Sequence, residues 1–259
     1  MSGKIEILYQ DKNLIAVNKP AGLLVHPTAT SAEKTLTDWL IKKYPEIKNV
    51  GDDPKNRPGI VHRLDKDTSG IIVIARNQKY FDYLKNLFQE HKIKKTYLAL
   101  AWGAVKNKTG IIEKPIFLKP GTTKRTVHKG KMEKPAVTEY EVLKFFNPYK
   151  SAIHPHKSAT FSYLKVIPKT GRTHQIRVHL ASIGHPVVGD SLYGPKKPDL
   201  RLPAVSGVEP SKGIPFKLDR QFLHAKSLEF NLSEKQRIKL EADLPQELQK
   251  ILDFLSPSE

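Results

Sequence analysis

The stretch RPGIVHRLDKDTSGIIVIARN, residues 57 to 77, places one carboxylate, Asp65, on a short polar turn between two β-branched runs. Arg63 and Lys66 flank this carboxylate. Positive surroundings favour the ionised form of an Asp, and an ionised carboxylate can act as a nucleophile, whereas a protonated one donates a proton. The residues alone leave an ordinary alternative open, in which Asp65 closes an Asx-turn ahead of a strand.

Similar β-branched runs recur along the chain and predict a sheet-rich protein. They are KIEILYQ (4–10), LIAVNKP (14–20), GIVHRL (59–64), GIIVIARN (70–77), TYLALAWGAV (96–105), AVTEYEVLKFF (136–146) and TFSYLKVIPK (160–169). Helical periodicity predicts helices at 35–44, 78–92, 173–182 and 245–255. Because these helices stand apart from the runs of strands, the pattern predicts the α+β class.

The composition favours a polyanionic partner. Lys and Arg number 44 against 26 Asp and Glu, which gives a net charge of +18 over 259 residues. Charge of this size is typical of nucleic-acid-binding proteins, but by itself it is equally consistent with a Lys-rich protein that binds none. The chain contains no cysteine, which excludes disulfides, thiolate nucleophiles and Cys-ligated zinc.

Two stretches predict long loops. Residues 119–135, KPGTTKRTVHKGKMEKP, are strongly basic with a single acid, and residues 194–217 are rich in Pro, Gly and Lys. A solvated loop is the ordinary interpretation of each. If the partner is RNA, the first becomes an arm that grips phosphates.

The chain shows no targeting or membrane signal. No apolar run approaches the ~18 residues of a membrane span, and the N-terminus MSGKIEILYQ lacks the apolar core of a signal peptide. We therefore expect a cytoplasmic location and no membrane partner.

Six blocks of sequence, in order, resemble the RNA pseudouridine synthases of the ribosomal large-subunit type A and D family. They are VNKPAG (17–22), HRLDKDTSG (62–70), KKTYLAL (94–100), TGRTHQIRVHL (170–180), GHPVVGDSLYG (184–194) and LHAKSLEF (223–230). The resemblance implies a mixed, mostly antiparallel sheet with flanking helices and a central basic cleft. It also implies one catalytic domain over residues 1–259, without the separate N-terminal RNA-binding domain of many relatives.

The chemistry implied by this resemblance needs no cofactor. Converting uridine to pseudouridine breaks the glycosidic bond, turns the base and joins its carbon 5 to the ribose, with no redox step. The reaction requires a carboxylate, a cation that keeps it ionised, a surface for the flipped base and a base for the carbon 5 proton.

The family pattern assigns three catalytic residues. Asp65 corresponds to the nucleophile, and Arg177 to the arginine that holds it, because a guanidinium can bind a carboxylate through two parallel hydrogen bonds. Tyr97 corresponds to the tyrosine that lies against the target uracil and assists removal of the carbon 5 proton. Without the resemblance, Arg177 would be an ordinary helix-face arginine and Tyr97 a core residue.

The substrate-binding assignments are Arg63, Ile176, Lys124, Arg125 and Arg172. On an extended strand Arg63 would project to the same face as the residue two positions later, Asp65, and there it could enter the space that a flipped nucleotide leaves. An ion pair with a neighbouring Asp is its alternative. Ile176 would line the base pocket, with core packing as its alternative. The other three would contact RNA phosphates.

No metal site is expected. His174, His179 and His185 cluster in sequence, as do His154 and His156, but neither group has the helical spacing and carboxylate of a zinc site. His62 and His174 are expected to fix turns by hydrogen bonding.

The predicted partner is structured RNA, either a stem-loop of large-subunit rRNA, a tRNA, or both. A monomer without an obligatory protein partner is expected. One alternative is a non-catalytic RNA-binding or ribosome-assembly factor. Another is a glycoside hydrolase or nucleosidase, with Asp67 as the second carboxylate.

Overall fold

The computed structural model describes residues 4–28, 33–146, 161–195, 218–233 and 236–255. Most of the predicted loop at 194–217 therefore lies outside the described residues, as do His154 and His156. The described chain divides into two compact units. The first comprises residues 1–97 and 224–243, and the second residues 98–223 and 244–259.

Twelve strands and four α-helices are assigned within the described segments. The strands are β1 Glu6–Gln10, β2 Leu14–Lys19, β3 Ser69–Ala75, β4 Lys94–Trp102, β5 Thr109–Glu113, β6 Ile116–Leu118, β7 Arg125–Thr126, β8 Lys131–Lys134, β9 Val137–Phe146, β10 Phe161–Pro168, β11 Leu223–Ser233 and β12 Gln236–Glu241. The helices are α1 Leu36–Lys43, α2 Gln78–Gln89, α3 Gln175–Ser182 and α4 Gln246–Leu255, with a 3₁₀ helix at Pro45–Asn49.

The first unit is built on the strand order β1-β2-β3-β11, with β12 paired to the later part of β11. The pairing is antiparallel except between β3 and β11, which run parallel. All seven residues of β3 are buried. Helix α2 begins at Asn77, whose side chain accepts from the amide of Tyr80, and it buries Phe81, Leu84 and Leu87 in the same core.

The second unit contains two sheets. In one, β9 pairs with β5 and β10, both antiparallel. Even-numbered residues of β9 from Thr138 to Val142 are buried and the odd-numbered ones less so, the period of two expected for a sheet with one covered face. In the other, β6 pairs with β7 and β8, also antiparallel. The mixed, mostly antiparallel sheet with four helices confirms the predicted α+β class.

The prediction of a strand at 59–64 is wrong. Only Ile60 makes a bridge, to Ile74, and residues 61–68 are irregular. On the side of β3 that faces this segment, the first residues of β3 already pair with β11. Ile60 and Leu64 are nevertheless buried, so their apolar character reflects burial in the core and not pairing in a sheet.

The prediction of a loop at 119–135 is also wrong in part, because β7 and β8 lie within it. Both pair with β6, and we call this three-stranded element the basic sheet, residues 116–134. The four residues of β8, KMEK, are all exposed and carry no β-branched side chain. Their strand conformation depends on pairing with β6, for which the local sequence contains no signal.

Candidate active site

Asp65 lies on a turn whose end is held by the start of β3. The amide of Thr68 donates to the carbonyl of Asp65 at 3.1 Å, and Thr68 and Ser69 are buried while Asp65 is partly exposed. At Gly70, which has φ +118°, an added Cβ would lie 2.2 Å from the carbonyl oxygen of Ala225. Only glycine permits this close approach of β11, which fixes where the Asp65 turn leaves the sheet.

A buried lysine that the sequence analysis did not single out supports the same turn. Lys19 ends β2 and is 0% exposed. Its Nζ donates to the carbonyls of Pro20 at 2.9 Å, Leu23 at 2.8 Å and Lys66 at 2.9 Å. Since Lys66 follows Asp65, this cation ties the VNKPAG segment to the Asp65 turn. A lysine at the end of a strand that begins with four apolar residues was the available signal.

Replacement of Lys19 by methionine tests this support. The variant keeps the approximate shape but removes hydrogen bonds from a charged donor to buried carbonyls, so we expect about 2–3 kcal/mol less stability towards unfolding. Urea titration measures the change. Lys12→Met, at an exposed lysine near the opposite end of β2, is the control. Equal unfolding midpoints for the two variants would contradict a structural role for Lys19.

A second buried connection reaches the turn from β11. His224 is 0% exposed, and its Nε2 lies 3.1 Å from the carbonyl of Ala242 while its Nδ1 lies 3.0 Å from the hydroxyl of Ser69. Since a carbonyl only accepts, Nε2 carries the hydrogen, and in the neutral ring Nδ1 accepts from Ser69. This series of hydrogen bonds joins β3 to the end of β12 within the first unit.

His62 anchors the segment before Asp65. Its Nε2 accepts from the amide of Val73 at 3.0 Å, and its ring stacks on Phe88 with centroids 4.5 Å apart. Burial, helped by the charge of Lys95, lowers the pKa of His62 from 6.5 to about 3. Protonation of Nε2 would also remove the acceptor for Val73, so the ring stays neutral at physiological pH.

The pKa of His62 predicts a loss of stability in mild acid. The unfolded state takes up a proton as the pH falls below 6.5, whereas the folded state does so only near 3. The stabilisation present above 6.5 is therefore lost as pH falls through this window, at up to about 1.4 kcal/mol per pH unit. Denaturant unfolding at pH 7, 6, 5 and 4 measures the slope. His62→Gln should have a shallower slope, and an unchanged slope would assign the effect to other groups.

Arg63 lies at the surface beside a second histidine. Its Nη1 is 3.2 Å from Nε2 of His26, whose Nδ1 lies 2.9 Å from the carbonyl of Pro27. Burial and the charges of Arg57 and Arg63 lower the pKa of His26, which favours a neutral ring that accepts from Arg63. Because residues 61–64 are not a strand, the argument that strand alternation aligns Arg63 with Asp65 does not apply.

Tyr97 packs against the core of the first unit, close to Asp65. Burial, followed by the negative charge of Asp65, raises the pKa of the Tyr97 phenol. The phenol is therefore protonated at neutral pH. Its chemistry is that of a neutral hydroxyl on an aromatic ring, which is a hydrogen-bond donor and a stacking surface.

Arg177 and Ile176 lie on α3 in the second unit. Arg177 binds Asp190 through two hydrogen bonds, Nε to Oδ2 at 2.7 Å and Nη2 to Oδ1 at 2.8 Å, and both side chains are buried. Burial raises the pKa of Asp190, but the bonds and charge of Arg177, together with the amides of Leu192 and Tyr193, outweigh this effect and lower the pKa. Asp190, which sequence reasoning missed, lies in the GHPVVGDSLYG block. Ile176 is 6% exposed.

The remaining predicted binding residues lie on or beside the basic sheet in the second unit. Both Lys124, just before β7, and Arg125, the first residue of β7, are partly exposed. Arg172 precedes α3, and its Nε donates to the carbonyl of Pro135 at 3.0 Å. The predicted residues thus fall into two sets: Arg63, Asp65 and Tyr97 in the first unit, and the other five in the second.

Two kinds of feature are absent from the described residues. Where the structure describes side chains, no three His, Cys, Asp or Glu residues form a group that could hold a metal ion. Within the same segments, no helix combines the length and apolar character that crossing a membrane requires.

The sequence model of the RNA pseudouridylate synthase family matches residues 13–182, which include Asp65, Tyr97 and Arg177. The chain belongs to the RNA pseudouridylate synthase family. It is 44% identical over 190 residues to an uncharacterized RNA pseudouridine synthase of Aquifex aeolicus, covering 73% of this chain and 56% of that protein. It is 37% identical over 258 residues to the ribosomal large subunit pseudouridine synthase D of Nitrosomonas europaea, covering 97% and 65%. The chain thus spans less than two thirds of the length of these two synthases.

Solved structures of the family agree with this assignment. Human RNA pseudouridylate synthase domain containing 4 superposes with a TM-score of 0.68 at 26% identity, covering 96% of this chain and 92% of that one. Human RNA pseudouridylate synthase domain containing 1 has the same TM-score at 24% identity, covering 93% and 84%, and supports the fold alone. The family and the fold predicted from the six sequence blocks are both confirmed.

Proposed function

We propose that this protein isomerises uridine to pseudouridine in structured RNA, with Asp65 as the nucleophile and one catalytic domain formed by residues 1–259. The observation that carries the proposal is the position of Asp65 within a family match, on a turn held by Lys19 and β3 and next to a protonated Tyr97. A turn with this much buried support presents a single carboxylate in a defined direction.

In the proposed reaction, the Asp65 carboxylate attacks as the bond between ribose carbon 1′ and base nitrogen 1 breaks. The detached uracil turns, a new bond joins carbon 5 to carbon 1′, and the carboxylate is released. Tyr97 lies against the uracil as a neutral phenol. Its raised pKa disfavours a phenolate base, so the released Asp65 carboxylate is the better acceptor for the carbon 5 proton. Asp65 then releases this proton to water, nitrogen 1 of the turned base takes one up from water, and the carboxylate is regenerated. No atom is gained or lost overall, and no cofactor takes part.

The proposed target is large-subunit rRNA. Its support is the similarity to relatives such as the ribosomal large subunit pseudouridine synthases D of Nitrosomonas europaea and Pseudomonas aeruginosa. Both align over 97% of this chain. An rRNA target fits the net charge of +18. We further propose that the protein acts in the cytoplasm, as a monomer without an obligatory protein partner.

Mapping of pseudouridine tests the proposal directly. Carbodiimide-dependent stops of reverse transcription are scored on rRNA and tRNA from a host that lacks the endogenous enzyme and receives this protein. A new stop in large-subunit rRNA is the expected result. A stop in tRNA alone would retain the reaction and replace the target. Release of free uracil would indicate a nucleosidase instead.

The non-catalytic binding or assembly factor is the weaker proposal, because the relatives are named as synthases. Binding of RNA without any new stop would revive it.

The basic sheet is proposed to bind RNA phosphates, and salt dependence tests this. Lys129→Gln combined with Lys131→Gln removes two exposed cations of the sheet. If each contacts a phosphate, the slope of log affinity against log salt should fall by about 1.4–1.8. Lys42→Gln combined with Lys48→Gln, at exposed lysines of the first unit, is the control for net charge. Equal changes in the two pairs would show that net charge, and not the basic sheet, sets affinity.

A further inference from the structure

The turn that follows Asp190 presents Tyr193 in a fixed position. Gly189 has φ +76°, and a Cβ there would lie 2.0 Å from the carbonyl oxygen of Arg220, so only glycine fits at the start of the turn. At its end the amide of Gly194 donates to the carbonyl of Asp190 at 2.9 Å. The Asp190 carboxylate also accepts from the amides of Leu192 at 2.9 Å and Tyr193 at 3.1 Å.

The hydroxyl of Tyr193 joins the basic sheet to the start of α3. It accepts from the amide of Arg125, in β7, at 2.8 Å. It also lies 2.8 Å from Nδ1 of His174, the residue immediately before α3, which has the left-handed φ of 57°. Because the oxygen accepts from Arg125, its own hydrogen can be directed to the ring nitrogen of His174. One oxygen atom therefore connects two elements of the second unit.

The ring of Tyr193 lies against Arg177. The guanidinium carbon of Arg177 is 5.3 Å from the ring centroid, within the range of a cation–π contact. Tyr193 also donates its amide to the carboxylate that binds Arg177. The residue that holds β7 is thus the residue that packs on Arg177 and stabilises its partner Asp190.

The ends of the basic sheet are attached to the same helix region. Nε2 of His179, on α3, lies 3.0 Å from the carbonyl of Lys114, two residues before β6. Arg172 donates to the carbonyl of Pro135, directly after β8. These contacts attach the segments next to β6 and β8 to the α3 region, and Tyr193 attaches β7. β7 also lies directly beside α3, and Tyr193 adds a hydrogen-bonded connection from β7 to the residue before α3.

We propose that Tyr193 is a positioning residue that couples RNA binding by the basic sheet to the orientation of Arg177. This inference rests on the proposed function for its effect on catalysis, through the role of Arg177 in holding Asp65 that the family resemblance implies. Phosphates bound to the basic sheet restrain β7, the Arg125 amide restrains Tyr193, and the ring and amide of Tyr193 restrain Arg177 and Asp190. Contacts between the RNA and the basic sheet then affect the reaction rate of the bound complex more than they affect the affinity for RNA.

Tyr193→Phe tests the coupling because it removes the hydroxyl and keeps the ring on Arg177. We expect the single-turnover rate at saturating RNA to fall by about 3- to 10-fold, as for the loss of a hydrogen bond. The dissociation constant for RNA should stay within about twofold. Tyr83→Phe is the matched control, since it removes a hydroxyl that donates to the carbonyl of Asn231 in the first unit. A weaker affinity with an unchanged rate would overturn the proposal.

A mutant cycle identifies the route of the coupling. Lys129→Gln with Lys131→Gln should lower the saturated rate in the wild-type background and have little further effect in the Tyr193→Phe background. Additive effects would overturn the proposal.

A readout without turnover separates this inference from the proposed function. RNA should shift the ¹⁵N NMR signal of the Arg177 Nε–H group in the wild-type protein, and shift it less in Tyr193→Phe. Equal shifts in the two proteins would reject the coupling. A differential shift without any pseudouridine would retain the coupling and reject the proposed reaction.

Discussion

Asp65→Asn is expected to abolish pseudouridine formation, with the single-turnover rate falling by at least about a thousandfold, because an amide cannot replace a carboxylate nucleophile. The backbone hydrogen bond from Thr68 to the carbonyl of residue 65 does not involve the side chain, so the turn should persist. RNA affinity should remain within a few-fold, since phosphate contacts dominate it. Rates from mapped RNA and affinities from filter binding measure both quantities.

Asp67→Asn is the matched control for this prediction. Asp67 lies two residues further along the same turn and is also partly exposed. Loss of its charge changes the local potential by the same amount without touching the proposed nucleophile. Its rate should stay within about threefold of wild type, the scale of an exposed charge interaction. If Asp67→Asn were inactive and Asp65→Asn active, the nucleophile would be assigned to the wrong carboxylate.

Arg177→Met is expected to be the most destabilising of the single changes considered. It removes the cation from a pair whose carboxylate side chain is 0% exposed, so Asp190 would be left charged and buried. Breaking one side of such a pair costs about 3–5 kcal/mol, which in a protein of this size lowers the melting temperature by about 6–20 °C. Calorimetry measures the shift, and loss of activity should accompany it.

Two further variants separate the charge from the contact. Arg177→Met combined with Asp190→Leu removes both charges and should recover much of the lost stability, because an apolar pair avoids the cost of burying charge. Arg177→Lys keeps the charge without the two parallel bonds and should be intermediate. If the double variant were no more stable than Arg177→Met alone, the loss would come from packing and not from the unpaired carboxylate.

The pH dependence of this pair has a defined sign. Burial raises the folded-state pKa of Asp190, but Arg177 and the amides of Leu192 and Tyr193 together outweigh it, so the pKa is lowered below 3.8. The pair therefore contributes its full stability above that value and loses it as the pH falls through the folded-state pKa. The loss of stability due to His62 begins at a higher pH, near 6.5. As the pH falls, protonation of His62 therefore starts to destabilise the protein before protonation of Asp190 does.

Local patterns predicted most of the regular structure. The β-branched runs of β2, β3, β9 and β10 were identifiable because each strand is buried by the core. The four helices were identifiable from apolar periodicity and from caps such as Asn77. The same logic failed at 59–64, where apolar residues are buried without pairing, and at β7 and β8, where exposed polar residues pair with β6.

The sequence by itself determined the family, the α+β class and the candidacy of Asp65, Tyr97 and Arg177, because chemical identity and order along the chain carry that information. Only the tertiary structure revealed that Lys19, His224 and Asp190 support these residues. Their roles depend on which groups meet across long separations in the chain: Ser69 and His224, for example, are 155 residues apart. A buried polar side chain acquires its function from the partner that satisfies it, and folding determines that partner.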